Sequence, residues 1–335
     1  MKQKKINKIE NIITEFIKKY TINKILIAIS GGQDSICLIQ TIKNLNIIKN
    51  KKKTKISYIY IDHQWKKSGD QQIKHLINYI KLIQSHINIY QINKIALSED
   101  KCRQNRYHII IKHAILYNYN LIITGHNETD KIETFIQSII KGSGVEYINN
   151  LAIKSKIYKE KFILRPLIGL DRNYIYWLCK KLCLPIWSDN TNYIYTIQRN
   201  RIRQELIPYI KQYLHVNVEK NIQYLLNNQY YQNEYLKQST IKLYLKIRHS
   251  KRIAIDYNLI NKQNFILQIK VIQIFCFHNI QIYLENKKVI KIIRTINKTK
   301  LSKLKIAENK YFNFFISNNW FYISIKNKNV ILKFI

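Results

Sequence analysis

A chain of 335 residues is long enough for two domains, and no apolar run in it approaches the roughly 20 residues that span a bilayer, so no membrane span is expected. Its formal charge of +37 favours a polyanionic partner, nucleic acid first, although heavy use of Lys, Ile, Asn and Tyr with only 7 Gly and 3 Pro is also what an A+T-rich genome imposes through its codons. The five cysteines (Cys37, Cys102, Cys179, Cys183, Cys276) form no C-x-x-C pair, which disfavours a disulfide scaffold and fits a reducing compartment.

The opening MKQKKINKIENIITEFIKKY sets Ile and Phe at helical spacing and carries Glu10 and Glu15, which argues against a transit peptide. Residues 24–30 form an apolar, β-branched run that reads as a buried strand, followed by Ser30-Gly31-Gly32-Gln33-Asp34-Ser35 and a helix start. Strand patterns at 56–62 and 121–124 alternate with helical patterns at 34–48, 70–85, 99–118 and 129–140. That alternation predicts an α/β fold with a doubly wound parallel sheet, whose ligands sit beyond the carboxyl ends of the strands. Ser30, Asp62 and Thr124-Gly125-His126 all fall at such ends and should converge on one crevice. The tract 49–55 reads as a solvated loop. Residues 199–215 suggest a helix leaving the first domain, 215–300 is mostly helical, and 304–335 alternates like strands. We expect a first domain over 1–210 and a second, smaller, mainly helical domain over 211–335. Cys179 and Cys183, four apart on one helical pattern with no Cys/His pair beside them, are expected in the core, as are most of the scattered tyrosines.

Gly31 and Gly32 let a ligand approach the main chain, and successive N–H groups there, with the following helix N-terminus, form an anion cradle to which Ser30 and Ser35 add hydroxyls. The G-x-x-x-x-G-K-[ST] spacing of a Walker A loop is absent. Asp130 and Glu133, three apart, share a helix face; they suit Mg²⁺ or a cationic amine, and equally an acidic helix N-terminus favoured by the macrodipole. Glu99, Arg103 and Arg106 follow i, i+4, i+7 spacing, which by itself reads as an intrahelical salt-bridge face. Arg199, Arg201 and Arg203 cluster in an arginine-poor chain after a turn marked by Asp189, Asn190 and Asn192; this suits bidentate phosphate recognition or a basic helix start.

SGGQDS resembles the pyrophosphate (PP) loop of enzymes that cleave ATP between its α and β phosphates. Together with the Asp62-His63 strand end, E-x-x-x-R-x-x-R-Y, TGH-x-x-x-D-x-x-E-T with its GSG, L-R-P-L at 164–167, and D-x-T-N followed by RN-x-x-R, it resembles the tRNA(Ile)-lysidine synthetase family in block order over residues 24–210. The resemblance implies a PP-loop catalytic domain, a tRNA-binding C-terminal domain, and ligation of L-lysine to C2 of the wobble cytidine of a CAU-anticodon tRNA(Ile) through an ATP-derived adenylate. It implies that Ser30, Gly31, Gly32, Gln33, Asp34 and Ser35 bind ATP, with Asp34 beside Mg²⁺. Asp130 and Glu133 would hold lysine or metal, and His126 would line the pocket. Arg103, Arg106, Arg199 and Arg203 would meet phosphates of ATP or tRNA.

Three positions depart from the family pattern: Gln64 follows Asp62-His63 where glycine is usual, Thr129 precedes Asp130 where a second aspartate is common, and Lys141 replaces the arginine before GSG. Two alternatives remain: a PP-loop tRNA 2-thiolation enzyme, disfavoured because Glu99 stands where a partner thiol to Cys102 would be, and a non-catalytic RNA-binding protein with tyrosines for stacking. A+T bias suits an organelle-encoded protein of the plastid stroma, with the cytoplasm of a reduced bacterium as the second option.

Overall fold

The computed structural model describes residues 2–45, 54–64, 69–92, 99–142, 151–158, 160–187, 197–298, 303–308 and 312–325. The expected turn at Asp189, Asn190 and Asn192, most of the 49–55 tract, and Ser143 and Gly144 of the GSG turn lie outside the described residues. The chain divides into two compact units, Met1–Leu226 and Asn227–Ile335.

In the first unit, helix α1 (Lys2–Lys19) precedes β1 (Lys24–Ile29), α2 (Gln33–Asn44), β2 (Lys55–Asp62), α3 (Gly69–Leu82), β3 (His86–Gln91), α4 (Glu99–Leu116), β4 (Leu121–Thr124) and α5 (Glu128–Ile140). Strands β5 (Lys154–Tyr158) and β6 (Lys161–Leu164), a 3₁₀ turn and α6 (Arg172–Lys181) follow. The six strands lie in the order β3-β2-β1-β4-β6-β5 and are parallel except for β5 against β6. Chain order runs outward from β1 to β3 and then returns to β4 on the other side of β1, so the topological switch point lies between β1 and β4.

β1 is apolar without alternation because both sheet faces are covered. Ile25, Ile27 and Ile29 pack on one side with Ile13 and Phe16 of α1, Ile36 and Ile39 of α2 and Ile175 of α6. Leu26, between them, packs on the other side with Ile110 and Ala114 of α4.

A helical segment over 198–214 then carries two π-helical stretches, Ile202–Leu206 and Ile210–Leu214. Pro208, which has no N–H to give to a helical bond, lies between them.

Helix α7 (Val218–Ile247) leads into β7 (Ala254–Asp256), α8 (Tyr257–Asn261), α9 (Phe265–Ile280), α10 (Asn286–Lys298), β8 (Lys303–Glu308), β9 (Phe312–Ser317) and β10 (Trp320–Ile325). The second unit is therefore helical with a four-stranded antiparallel sheet, β7-β10-β9-β8. Its core gathers Val271, Ile272 and Phe275 of α9, Val289 and Ile293 of α10, and Phe314 and Phe321 of the sheet.

Two expectations are corrected. Cys179 is buried, but Cys183 is exposed: α6 stops at Lys181, and Cys183 takes φ +47 in a helix-closing turn where Leu184 N–H donates to the Cys179 carbonyl at 3.0 Å. In a glycine-poor chain a non-glycine residue fills that left-handed position. The described tyrosines are not mostly core either. Tyr58, Tyr60, Tyr119, Tyr174, Tyr244 and Tyr257 are buried, but Tyr117, Tyr158, Tyr176, Tyr209, Tyr213, Tyr224, Tyr230, Tyr231, Tyr235 and Tyr283 are exposed. Scattered spacing does not tell a core tyrosine from one on the opposite helix face.

Candidate active site

At the switch point, a cavity of about 400 Å³ opens beyond the carboxyl ends of β1, β2 and β4. Its wall includes Ser30, Gly32, Gln33, Asp34 and Ser35 after β1, Asp62 and His63 after β2, and Thr124, Gly125 and His126 after β4. Arg103 and Arg106 of α4, Asp130 of α5, Arg172 of α6, and Arg199 and Arg203 of the 198–214 segment complete it.

The loop after β1 is held from inside. Ser30 N–H donates to Ser35 Oγ at 2.9 Å, and the two hydroxyls lie 3.0 Å apart. Gln72 of α3 donates through Nε2 to the Ser30 carbonyl at 2.8 Å. Gly31 sits at φ +81, a backbone angle that strains any side chain, and a Cβ there would meet that same Nε2 at 2.8 Å and push Gln72 off the Ser30 carbonyl. Gly32 is the N-cap of α2 and supplies no side-chain cap. The first-turn amides thus face the cavity as an anion cradle. Gly125 brings the end of β4 against that turn: a Cβ on it would lie 3.3 Å from the Asp34 carbonyl.

The carboxylates are placed by Asn127, which the sequence reading did not single out. Asn127 is fully buried and caps α5: its Oδ1 accepts from Asp130 N–H at 3.0 Å, and its own N–H donates to Asp130 Oδ2 at 3.1 Å. Its remaining group, Nδ2, donates to Asp34 Oδ1 at 3.1 Å. One side chain therefore fixes both acids. Burial pushes the Asp34 carboxyl above the ordinary carboxylate range, with Asp130 adding to the rise and Arg172 and Asn127 opposing it. Burial acts the same way on Asp130, but the Arg199 and Arg203 guanidiniums and the Asn127 N–H oppose it, and that carboxyl stays low.

Glu133 lies behind the wall, fully buried. Arg203 grips it with two bonds, Nε to Oε1 at 2.6 Å and Nη2 to Oε2 at 2.9 Å, and reaches Asp130 Oδ1 at 3.7 Å. Arg199 bridges Glu133 Oε2 at 3.4 Å, Glu99 Oε1 at 3.3 Å and Thr134 Oγ1 at 2.9 Å. Burial disfavours charge on Arg203, but Glu133 and Asp130 more than offset it and hold the guanidinium protonated. The Glu99-Arg103-Arg106 spacing is thus not an intrahelical salt bridge, because Glu99 pairs with Arg199 instead. Arg103 lies 5.8 Å over the Tyr107 ring. Neither Arg103 nor Arg106 has an ion-pair partner among the described residues, so both present charge to the cavity.

His126 accepts or donates at Nδ1 with Thr124 Oγ1 at 2.9 Å and stacks on Tyr107, with centroids 6.2 Å apart. Burial, with Arg103, Arg165 and Arg106 nearby, pushes the imidazole down to about 3, so it is neutral at physiological pH.

A PP-loop domain matches residues 4–210. A protein named as a chloroplastic tRNA(Ile)-lysidine synthase from Gracilaria tenuistipitata var. liui is 42% identical over 321 residues, which is 95% of this chain and 98% of that one. The chain belongs to the tRNA(Ile)-lysidine synthase family. The chloroplastic member from Pyropia yezoensis is 30% identical over 308 residues, covering 91% of each chain. Among solved structures, a U34-tRNA thiolase from Methanococcus maripaludis with its [4Fe-4S] cluster superposes with a TM-score of 0.50 at 14% identity, over 61% of this chain and 72% of that one; this is a likeness of fold alone.

The departures from the lysidine synthase pattern acquire physical reasons. Gln64 stands at φ +57, the left-handed region that glycine enters freely. Its N–H is held by Asp62 Oδ1 at 2.9 Å, which lets a non-glycine residue keep the turn. Lys141, in place of arginine, bonds Asp100 at 2.6 Å. Arg165 of L-R-P-L is buried away from the cavity and donates to the Ala152 carbonyl at 2.9 Å and to Ser155 Oγ at 3.1 Å, so it braces the end of β6. Arg172, seven residues on, is the arginine that reaches the site, with Nη1 4.0 Å from Asp34 Oδ2. The signal for it was Asp171, which N-caps α6 by accepting from Tyr174 N–H at 2.8 Å and so puts Arg172 on the helix's first turn.

Proposed function

We infer that this chain ligates L-lysine to C2 of the wobble cytidine of a CAU-anticodon tRNA(Ile), consuming ATP and releasing pyrophosphate and AMP. The observation that carries the reading is the cavity at the β1/β4 switch point, where a glycine cradle, acids and arginines meet in a chain 42% identical to a named lysidine synthase. In the first step the C2 oxygen attacks the α-phosphorus of ATP and pyrophosphate leaves. In the second the lysine amine attacks C2, the C2–O bond breaks with AMP as the leaving group, and the amine gives up a proton.

The chain's own groups match these demands. The amides of Gly32 to Ser35, with the Ser30 and Ser35 hydroxyls, suit the departing pyrophosphate. Arg103, Arg106 and Arg172 offset phosphate charge, of ATP or of tRNA. Asp130, held ionised on the cavity wall, supplies the negative charge that a lysine ammonium needs. Glu133, one turn on, already binds Arg203 and Arg199, so it holds the arginines in place while adding to the negative field. His126, being neutral, lines the pocket as a hydrogen-bonding wall rather than as a cation.

Asp34 is the proposed Mg²⁺ contact. The Asp34 carboxylate on the cavity wall, with Asp130 held near it through Asn127, fits an ion that takes one or two carboxylates with phosphate oxygens and water. When bound, the ion would stabilise charge on the leaving pyrophosphate. The second unit is proposed to bind tRNA, and the chloroplastic relatives together with the A+T-rich composition support the plastid stroma as the place of action. The 2-thiolation alternative is weakened by a cavity wall that carries no cysteine; Cys102 is buried outside it.

The test is tRNA-dependent release of labelled AMP and pyrophosphate from ATP. The wild type should release both in equal amounts, and Asp34→Ala should lose at least about 100-fold in rate. Release of ADP and phosphate instead would overturn the PP-loop chemistry.

A further inference from the structure

We propose that the outward face of helix α7 between Tyr231 and Lys246 is a stacking surface for unpaired nucleotides of the tRNA. The proposal rests on the tRNA-modifying reading above and gives it residues.

The inward face of this helix in the second unit is conventional. Leu236, Thr240, Leu243, Tyr244 and Ile247 follow helical spacing, and Tyr244 and Ile247 join the second unit's core. The opposite face should then be charged. It carries two rings ahead of its charges, Tyr231, Tyr235, Gln238, Lys242 and Lys246 at i, i+4, i+7, i+11 and i+15, a stripe about 22 Å long with the exposed Leu245 beside the lysines. Tyr231 and Tyr235 are 70% and 76% exposed, among the most exposed large side chains in the molecule. Tyr230 stands edge-on to Tyr231 with centroids 5.7 Å apart.

Two broad aromatic faces followed by two lysines on one line match a single-stranded polyanion: bases stack on rings and phosphates follow the cations. A duplex hides its bases and would use the lysines alone. A chain carrying +37 already favours such a partner over a neutral protein surface.

The test is the equilibrium affinity of the full-length protein for a CAU-anticodon tRNA(Ile) transcript. We compare wild type, Tyr231→Ala/Tyr235→Ala, Tyr231→Phe/Tyr235→Phe and Lys242→Gln/Lys246→Gln. Both rings are exposed, so the melting temperature should stay level. The Ala pair should weaken binding about 10- to 100-fold, and the Phe pair should keep most of the affinity because stacking needs only the ring. The Gln pair should flatten the salt dependence of binding. If the wild type modifies the transcript and the Ala pair binds it equally well, the surface proposal falls and the tRNA reading stands. If the Ala pair instead breaks a dimer seen by light scattering, the stripe meets a second copy of the chain and the proposal falls. If the wild type does not bind the transcript at all, both fall.

Discussion

Asn127 holds both acids of the site, because its three polar groups bond Asp130 twice and Asp34 once. Asn127→Ala should lose about 1 kcal/mol of stability, as helix N-caps do, but about 10- to 100-fold in activity, as groups that orient reacting side chains do. Urea unfolding and steady-state AMP release separate the two; equal proportional losses would reduce Asn127 to a cap. His126 makes a pH prediction. Its folded value of about 3 lies below the unfolded 6.5, so the unfolded chain binds the extra proton between those values. The stability contributed by the neutral ring is complete above about 6.5 and is lost as pH falls toward about 3. His126→Gln should therefore flatten the decline in stability between pH 7 and pH 5 by on the order of 1–2 kcal/mol, measured as urea midpoints at the two pH values. An unchanged decline would mean that the imidazole takes a proton in the folded state.

The elements were more legible than the contacts between them. Apolar runs marked β1, β2 and β4, because buried parallel strands leave no polar alternation to blur them. Strands β3 and β5 were missed because they form the two edges of the sheet, where half-buried and exposed residues mix and none is fully buried. The order of motif residues put Ser30, Asp62 and His126 at strand ends facing one cavity, with Asp130 on the helix that follows β4. The pairing of Glu99 with Arg199 and of Glu133 with Arg203 joins segments about 70 to 100 residues apart, which local spacing cannot show. That second pair ties α5 to the 198–214 segment. Arg203→Ala should destabilise the protein by about 3–5 kcal/mol by leaving Glu133 buried without its fork. Adding Glu133→Leu should recover most of that stability in a thermal melt while activity stays low, since the arginine is gone. If the double variant melts no higher than the single, the loss comes from packing rather than from the stranded charge.

Across the whole molecule, the +37 charge and the cavity arginines describe a protein built to meet phosphates. Affinity for tRNA should fall steeply with salt, by about 1000-fold between about 50 and 200 mM if about six phosphates are neutralised. A shallow slope would leave the lysines as mere composition, the product of A+T-rich codons. The central claim is narrower and concerns one atom of one nucleotide. Purified protein should be incubated with ATP, radiolabelled lysine and a CAU-anticodon tRNA(Ile) transcript, and the digested tRNA should be resolved nucleotide by nucleotide. The account predicts label in the wobble nucleotide alone, lost with Asp34→Ala and absent from the methionine tRNA. AMP release without lysine in the tRNA would contradict it, leaving an adenylating enzyme with a different nucleophile.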